Sequence, residues 1–150
     1  MKISGTHTVA ASQDRVYGLL LDPAVLARCM PGCESLDPIG ENEYAMRLKM
    51  VLASVSGLFA GKVRVAEPNP PDSFRLIVEG TGKIGFMKGD GLLNLSSVDS
   101  QTTVRFDGDV QIGGTIAAVG QRLVDATAKM LIKRFFERLS TEAAINGSAN

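Results

Sequence analysis

The sequence closes with one long amphipathic helix, predicted from Gly113 to Leu139, and this feature limits the possible folds more than any motif does. Apolar residues recur there at spacings of three and four, as in a helix that packs on one side. The stripe consists of Ile116, Val119, Gly120, Leu123, Val124, Thr127, Met130, Leu131 and Phe135. A helix of about 25 residues is roughly 38 Å long, so it needs a large apolar partner.

Most of the chain ahead of this helix alternates between apolar and polar residues, which predicts half-buried strands. The predicted strands are Lys2 to Ala11, Glu34 to Ile39, Glu43 to Leu52, Gly57 to Glu67, Phe74 to Glu79, Gly85 to Ser97 and Thr102 to Ile112. The connections are short, which suits antiparallel neighbours. An antiparallel sheet has an apolar face to cover, and the final helix would cover it.

Two short helices are predicted between the first two strands. Ser12 is a suitable N-cap for a helix from Arg15 to Leu21, and Pro23 can open a second one that ends at Met30. The result is an α+β chain: a curved antiparallel sheet of about six or seven strands around a long C-terminal helix. We expect one domain over residues 1–142 and a flexible tail over residues 143–150.

Composition excludes several classes of function. The sixteen basic and sixteen acidic residues cancel, so neither a nucleic-acid face nor a polybasic lipid patch is expected. The apolar runs are too short for a membrane span. The start of the chain lacks the apolar core of a signal peptide. We therefore expect a cytoplasmic protein with at most peripheral contact at the inner membrane face.

Metal binding and catalysis have few candidate residues. The single histidine, His7, shares a predicted strand face with Ile3 and Val9, and we expect a structural role with a hydroxyl or backbone partner. Cys29 and Cys33 are too few for a zinc site, and their spacing is not that of a redox pair. They are predicted to be free thiols, with a transient disulfide or metal contact as the alternative. No catalytic residue, metal ligand or required cofactor is predicted.

The inward faces of the strands and helix predict an apolar cavity. Its predicted lining is Tyr44, Met46, Leu48, Met50, Phe59, Leu76, Val78, Phe86, Met87, Leu93, Phe106, Val119, Leu123 and Met130. Acid–base catalysis needs a titratable group at the reacting proton, and only the Tyr44 hydroxyl is available in this set. Methionines adapt to irregular apolar shapes, and nearby glycines leave space. The pattern favours a binding site, although a filled core would give the same pattern.

Two smaller features extend this prediction. The glycine-rich stretch Gly80 to Gly91 lacks a Ser or Thr after its lysines, so it is not a phosphate loop, and Phe86 with Met87 at its tip could gate the cavity. Phe136 would face outward on an ideal helix. Its predicted role is packing against the first strand or the short helices, with an exposed anchor for a partner or a bilayer as the alternative.

The order of elements resembles the helix-grip fold of the SRPBCC superfamily, also called Bet v 1-like or START-like, which includes lipid carriers, cyclases and aromatases. Four segments are similar to CoxG, a family of carbon monoxide dehydrogenase accessory proteins. They are Ala27 to Leu36 (ARCMPGCESL), Gly57 to Val65 (GLFAGKVRV), Glu79 to Leu95 (EGTGKIGFMKGDGLLNL) and Gly113 to Phe136 (GGTIAAVGQRLVDATAKMLIKRFF).

The resemblance implies a non-enzymatic accessory protein. Members of that family are encoded near molybdenum hydroxylases and are regarded as associating the enzyme with the membrane, often through an additional C-terminal segment that this sequence does not show. The expected partners are a hydrophobic small molecule such as a lipid or quinone, and a molybdenum-containing dehydrogenase. The alternatives are a cyclase, aromatase or hydrolase, which would need Glu79, Asp107 or Asp109 inside the cavity, and a docking module with a filled core.

Overall fold

The computed structural model describes residues 1–147, and over that range it contains one sheet of seven strands and three α-helices. In chain order these are β1 (Lys2–Val9), α1 (Gln13–Leu20), α2 (Pro23–Cys29), β2 (Cys33–Gly40), β3 (Glu43–Leu52), β4 (Val55–Asn69), β5 (Ser73–Gly82), β6 (Gly85–Val98), β7 (Gln101–Gly113) and α3 (Gln121–Gly147). A short 3-10 turn, Ala117–Val119, precedes α3. The predicted α+β helix-grip fold is confirmed.

The sheet is antiparallel throughout, in the order β1-β7-β6-β5-β4-β3-β2. Each strand from β2 to β7 pairs with the next one along the chain, which confirms the predicted meander. β1 instead pairs with β7, where His7 lies opposite Val104 and Gly5 lies opposite Phe106. The first strand therefore forms one edge of the sheet.

The two short helices begin where their capping residues predict. The Ser12 side chain accepts a hydrogen bond from the Arg15 N–H at 3.3 Å, and Asp22 accepts one from the Ala24 N–H at 3.0 Å. These bonds satisfy amide groups that a helix N-terminus otherwise leaves without partners. The Tyr17 hydroxyl donates to the Ser73 carbonyl at 2.9 Å and so fixes α1 to the start of β5.

The long helix differs from its predicted bounds at both ends. It begins at Gln121 rather than Gly113, because Gly114 and Gly120 have φ values of +87° and +106° and interrupt the helical path. It also continues to Gly147, through part of the predicted flexible tail, where Ala143 is only 2% exposed. The rest of that tail, residues 148–150, lies outside the described residues.

The buried side chains form two clusters along α3. The first joins α1, α2 and the C-terminal half of α3 to the ends of β1, β6 and β7, and it includes Val16, Phe74 and Leu139. The second lies under the start of α3 and includes Phe59 and Val124. Leu76 and Phe135 pack against both clusters. The middle of the sheet thus lies between two filled ends.

Candidate functional site

The space between α3 and the middle strands is the candidate binding site. The main strand contacts of α3 are with β1 and β3, which lie on opposite sides of the sheet. The four strands between them, β4 to β7, pass beneath the helix. We call the space between α3 and the inner faces of β4 to β7 the inner groove.

Apolar side chains along the inner groove keep part of their surface accessible. These half-buried residues are Leu76, Val78, Met87, Leu93, Phe106, Val110 and Ile112. Register places them on one face, since Val78 lies opposite Gly89 and Gly89 lies opposite Val110. Apolar residues on the covered face of a sheet are usually buried. Their partial exposure indicates that α3 does not fill the space above them.

Two glycines of β6 form an open part of the groove floor. A Cβ added to Gly89 would meet no atom closer than 3.8 Å, and one added to Gly91 would meet none closer than 3.5 Å. Both distances are ordinary van der Waals contact. Larger side chains would fit at these positions, so the glycines widen the groove without being required by backbone conformation.

A pocket of about 230 Å³ opens at the end of the groove beside the start of α3. Its lining is Met1, Val110, Gln111, Ile112, Ala117, Gln121 and Val124. The Gln121 side-chain amide donates to the Met1 sulfur at 3.2 Å. The volume is below the 300–1,000 Å³ or so of pockets that enclose drug-sized ligands, so it suits a head group or a small fragment.

This pocket contains none of the predicted lining residues. Val110, Ile112 and Val124 carried the right signal, because their periodicity placed them on inward faces. Ala117 and Gln121 could not be found in the same way, since the break at Gly120 removes the helical register on which their positions depend.

The predicted lining residues divide into three groups. Met46, Leu48 and Phe59 are buried within the second core cluster, and Tyr44, Met50, Leu76, Val78, Met87 and Val119 pack against that cluster. Leu93 and Phe106 pack against the first cluster. Phe86, Leu123 and Met130 are 38–40% exposed. Whether any of them contacts a ligand stays a prediction.

The proposed gating residues point to opposite faces of the sheet. Met87 lies on the inner face opposite Gly80 and Ile112. Phe86 lies on the outer side, where its ring covers Gly113 and remains 40% exposed. Of the two, only Met87 is placed to contact material in the groove.

His7 has aromatic partners instead of the expected hydroxyl or backbone group. Its ring stacks on Phe136, with centroids 4.2 Å apart and planes 10° from parallel, and lies 5.9 Å from the Phe106 ring. Burial lowers the pKa of His7 below its ordinary value, because the charged imidazolium loses solvation. The inner face therefore holds a titratable ring that favours its neutral form.

The expectation that Phe136 faces outward is wrong. Phe136 is only 6% exposed, because β1 lies beside α3 and places His7 against this flank of the helix. Phe135 meets Phe136 edge to face at 5.2 Å. Packing against the first strand, the predicted role, is what the structure shows.

The three carboxylates that would favour an enzyme lie outside the groove. Glu79, Asp107 and Asp109 are exposed on the outer face of the sheet. Asp109 accepts from Lys2 at 3.1 Å and from the N-terminal amine at 3.3 Å, and these hydrogen bonds lower its pKa. A second pocket of about 230 Å³ on that outer face includes Glu79, Lys88, Asp90 and Asp109 in its lining.

Cys29 and Cys33 are free thiols. Burial raises the pKa of both, so both favour the protonated form. Within residues 1–147, no group of three or more His, Cys, Asp or Glu side chains is arranged to hold a metal ion. None of the helices described there is both long and apolar enough to cross a membrane.

Solved structures with the same fold cover nearly the whole chain. A conserved protein from Geobacillus kaustophilus is 32% identical, with 97% of each chain covered and a TM-score of 0.93. The ZhuI aromatase/cyclase from Streptomyces sp. R1128 is 18% identical, with 97% of this chain and 94% of that chain covered and a TM-score of 0.68. A START superfamily protein from Mycobacterium smegmatis is 17% identical, with 94% and 95% covered and a TM-score of 0.68. The last two show the fold alone.

Among curated protein sequences, none matches the chain. The sequence profile of CoxG, a carbon monoxide dehydrogenase subunit, matches residues 5–144, which include the whole groove and both core clusters. The protein therefore belongs to the CoxG family of carbon monoxide dehydrogenase subunits.

Proposed function

We propose that this protein is a non-catalytic accessory protein that binds a hydrophobic small molecule, such as a lipid or a quinone, in the inner groove. The observation that carries the proposal is the partial exposure of apolar side chains beneath α3, above a floor opened by Gly89 and Gly91. An apolar groove with few polar groups suits a lipophile. The outward position of Glu79, Asp107 and Asp109 removes the carboxylates that a catalytic role would use.

The family name supports the second part of the proposal, which concerns the protein partner. CoxG is named as a subunit of carbon monoxide dehydrogenase. We therefore assign the protein to a molybdenum-containing dehydrogenase of that type, acting at the inner face of the membrane. In this role the bound lipophile would pass between the enzyme and the bilayer.

Ligand binding is tested by filling the groove. Gly89→Leu and Gly91→Leu place an isobutyl group over the floor, where the backbone accepts a side chain. Gly18→Leu is the matched control, because Gly18 is exposed on α1 with no atom within 4 Å of an added Cβ. A short-chain quinone at about 100 times its Kd would stabilise the wild type by about 2.7 kcal/mol, or about 5–10 °C in Tm.

The proposal expects this Tm increase in the wild type and in Gly18→Leu, and its loss in both groove variants. It also expects organic-solvent extracts of the purified wild type to contain a lipophile. Empty extracts together with unchanged Tm values on adding quinones and lipids would exclude the carrier role.

A docking module with a filled core is the second candidate function. It is favoured by the complete burial of Phe59 and the near-complete burial of Met46, both of which were predicted to line a cavity. It would bind the dehydrogenase equally well with Gly89→Leu and with the wild type. Co-purification of the two proteins, measured for both forms, separates this candidate from the carrier.

A further inference from the structure

Three connections meet at one end of the sheet. The β3–β4 turn and the β5–β6 turn lie side by side, because an added Cβ on Gly57 would meet the Ile84 side chain at 3.0 Å. The connection from β7 to α3 joins them, since the Ile116 N–H donates to the Ile84 carbonyl at 2.8 Å. We call the surface formed by residues 48–59, 80–87 and 111–124 the tip surface.

The tip surface exposes large apolar side chains. Val51 in the β3–β4 hairpin is 59% exposed, Phe86 beside the β5–β6 turn is 40% exposed, and Leu123 in the first turn of α3 is 38% exposed. Each comes from a different one of the three connections. Exposed apolar groups collected from separate segments are typical of a contact surface.

The tip surface also carries only positive charge. Its three segments contain Lys49, Lys83 and Arg122 and neither Asp nor Glu. All three cationic residues are exposed, and none forms an ion pair with another described residue. The flanking cations Arg47 and Lys88 lie further along their strands, and Lys88 is opposite Glu79 in the sheet.

The turns at the opposite end of the sheet have the reverse charge. Residues 39–44, 66–73 and 98–101 contain no Lys or Arg, and their acidic residues are Glu41, Glu43, Glu67, Asp72 and Asp99. A chain with a net charge of zero is thus electrically polarised along its strands. Its positive end is also its apolar one.

We propose that the tip surface docks on an anionic lipid bilayer, with Val51, Phe86 and Leu123 at the acyl boundary and the three cations at the phosphates. Apolar burial and attraction to anionic lipid act together in such interfacial binding. Ala117, in the β7–α3 connection, also lines the pocket at the groove mouth, so a docked protein opens its groove towards the bilayer. The inference rests on the proposed function only for the groove's cargo.

The chain contains no tryptophan, so a single added indole reports its own environment. Val51→Trp places it on the tip surface. Val98→Trp is the matched control, 54% exposed on the β6–β7 turn at the other end of the sheet. With vesicles of phosphatidylcholine containing phosphatidylglycerol, Val51→Trp should shift its emission to the blue and Val98→Trp should not. Circular dichroism checks that both variants remain folded.

A charge variant tests the electrostatic part. Lys49→Gln with Lys83→Gln should weaken partitioning to the same vesicles about fivefold for each lysine, and about 25-fold for the pair. Lys62→Gln with Arg105→Gln removes the same charge from the outer sheet surface and should leave partitioning within about twofold. High salt should reduce the difference between the two double variants.

Three results would overturn the docking proposal: no sedimentation of the wild type with anionic vesicles at low salt, equal blue shifts for both tryptophans, or unchanged partitioning of the lysine variant. The carrier role fails separately. A protein that binds quinone but no vesicle refutes only the docking surface, and one that binds vesicles but no lipophile refutes only the carrier.

Discussion

Replacing Phe136 with alanine removes the ring that joins the last helix to the first strand. Phe136 is 6% exposed and contacts His7 at 4.2 Å, Phe135 at 5.2 Å and Phe106 at 6.0 Å between centroids. Burial of a phenylalanine side chain contributes about 1.5–3 kcal/mol, and an aromatic pair adds about 0.5–1.5 kcal/mol. The cavity left behind adds to this cost, so we expect Phe136→Ala to lower the free energy of unfolding by about 3–5 kcal/mol.

Urea unfolding followed by far-UV circular dichroism measures this loss. Met130→Ala is the control, because Met130 lies on the same helix but is 39% exposed, and it should cost less than about 1 kcal/mol. The Tm of Phe136→Ala should fall by about 6–20 °C for a chain of this size. Equal losses in the two variants, or a loss below about 1 kcal/mol at Phe136, would refute the packing of α3 on β1.

Three further predictions concern single sites. Burial lowers the pKa of His7 below 6.5, so the unfolded chain binds the proton first. The free energy of unfolding should fall as pH drops below 6.5 and level off below the folded pKa, and His7→Phe should remove this dependence in urea titrations. Gly61→Ala would drive a Cβ into the backbone of β5 and should cost about 3 kcal/mol, whereas Gly18→Ala should add about 0.5–1 kcal/mol in the same thermal scans. Ellman's reagent should modify the half-buried Cys33 before the fully buried Cys29, faster at higher pH, and a native Cys33→Ser variant that reacts equally fast would contradict this order.

Local periodicity was sufficient to predict the strands. β3 has the predicted bounds, Glu43–Leu52, and its alternation places Met46 and Leu48 inward as expected. Side chains of a strand change face at every residue, so a single apolar series determines both the strand and its buried side. The same reasoning predicted the helix-grip fold, because it needs only the order of elements and their apolar faces.

Relations between distant elements could not be predicted in this way. Phe136 lies off the apolar stripe, and it is buried because β1, at the other end of the chain, lies beside it. Leu123 and Met130 lie on the stripe and are partly exposed, because α3 packs mainly on two separated strands. Periodicity gives the apolar side of a helix but not the shape of the surface that it meets.

The charge polarity of the molecule was also hidden in the sequence. The balanced totals excluded a basic patch, yet alternate turns of a meander lie at opposite ends of the sheet. Lys83 in the β5–β6 turn and Asp99 in the β6–β7 turn are close in sequence and belong to opposite ends of the molecule. Net charge is a property of composition, whereas the field around the protein depends on topology.

The pairing of β1 with β7 has a consequence for how the molecule opens. Strands β2 to β7 are joined by successive hairpins, so their contacts are local, while β1 and α3 come from opposite ends of the chain and meet at His7 and Phe136. Elements that depend on one shared contact tend to open as a cooperative unit. Amide exchange in β1 and α3 should therefore rise together under mild denaturant while β4 to β6 stay protected. Such opening would expose the groove and leave the hairpin scaffold intact.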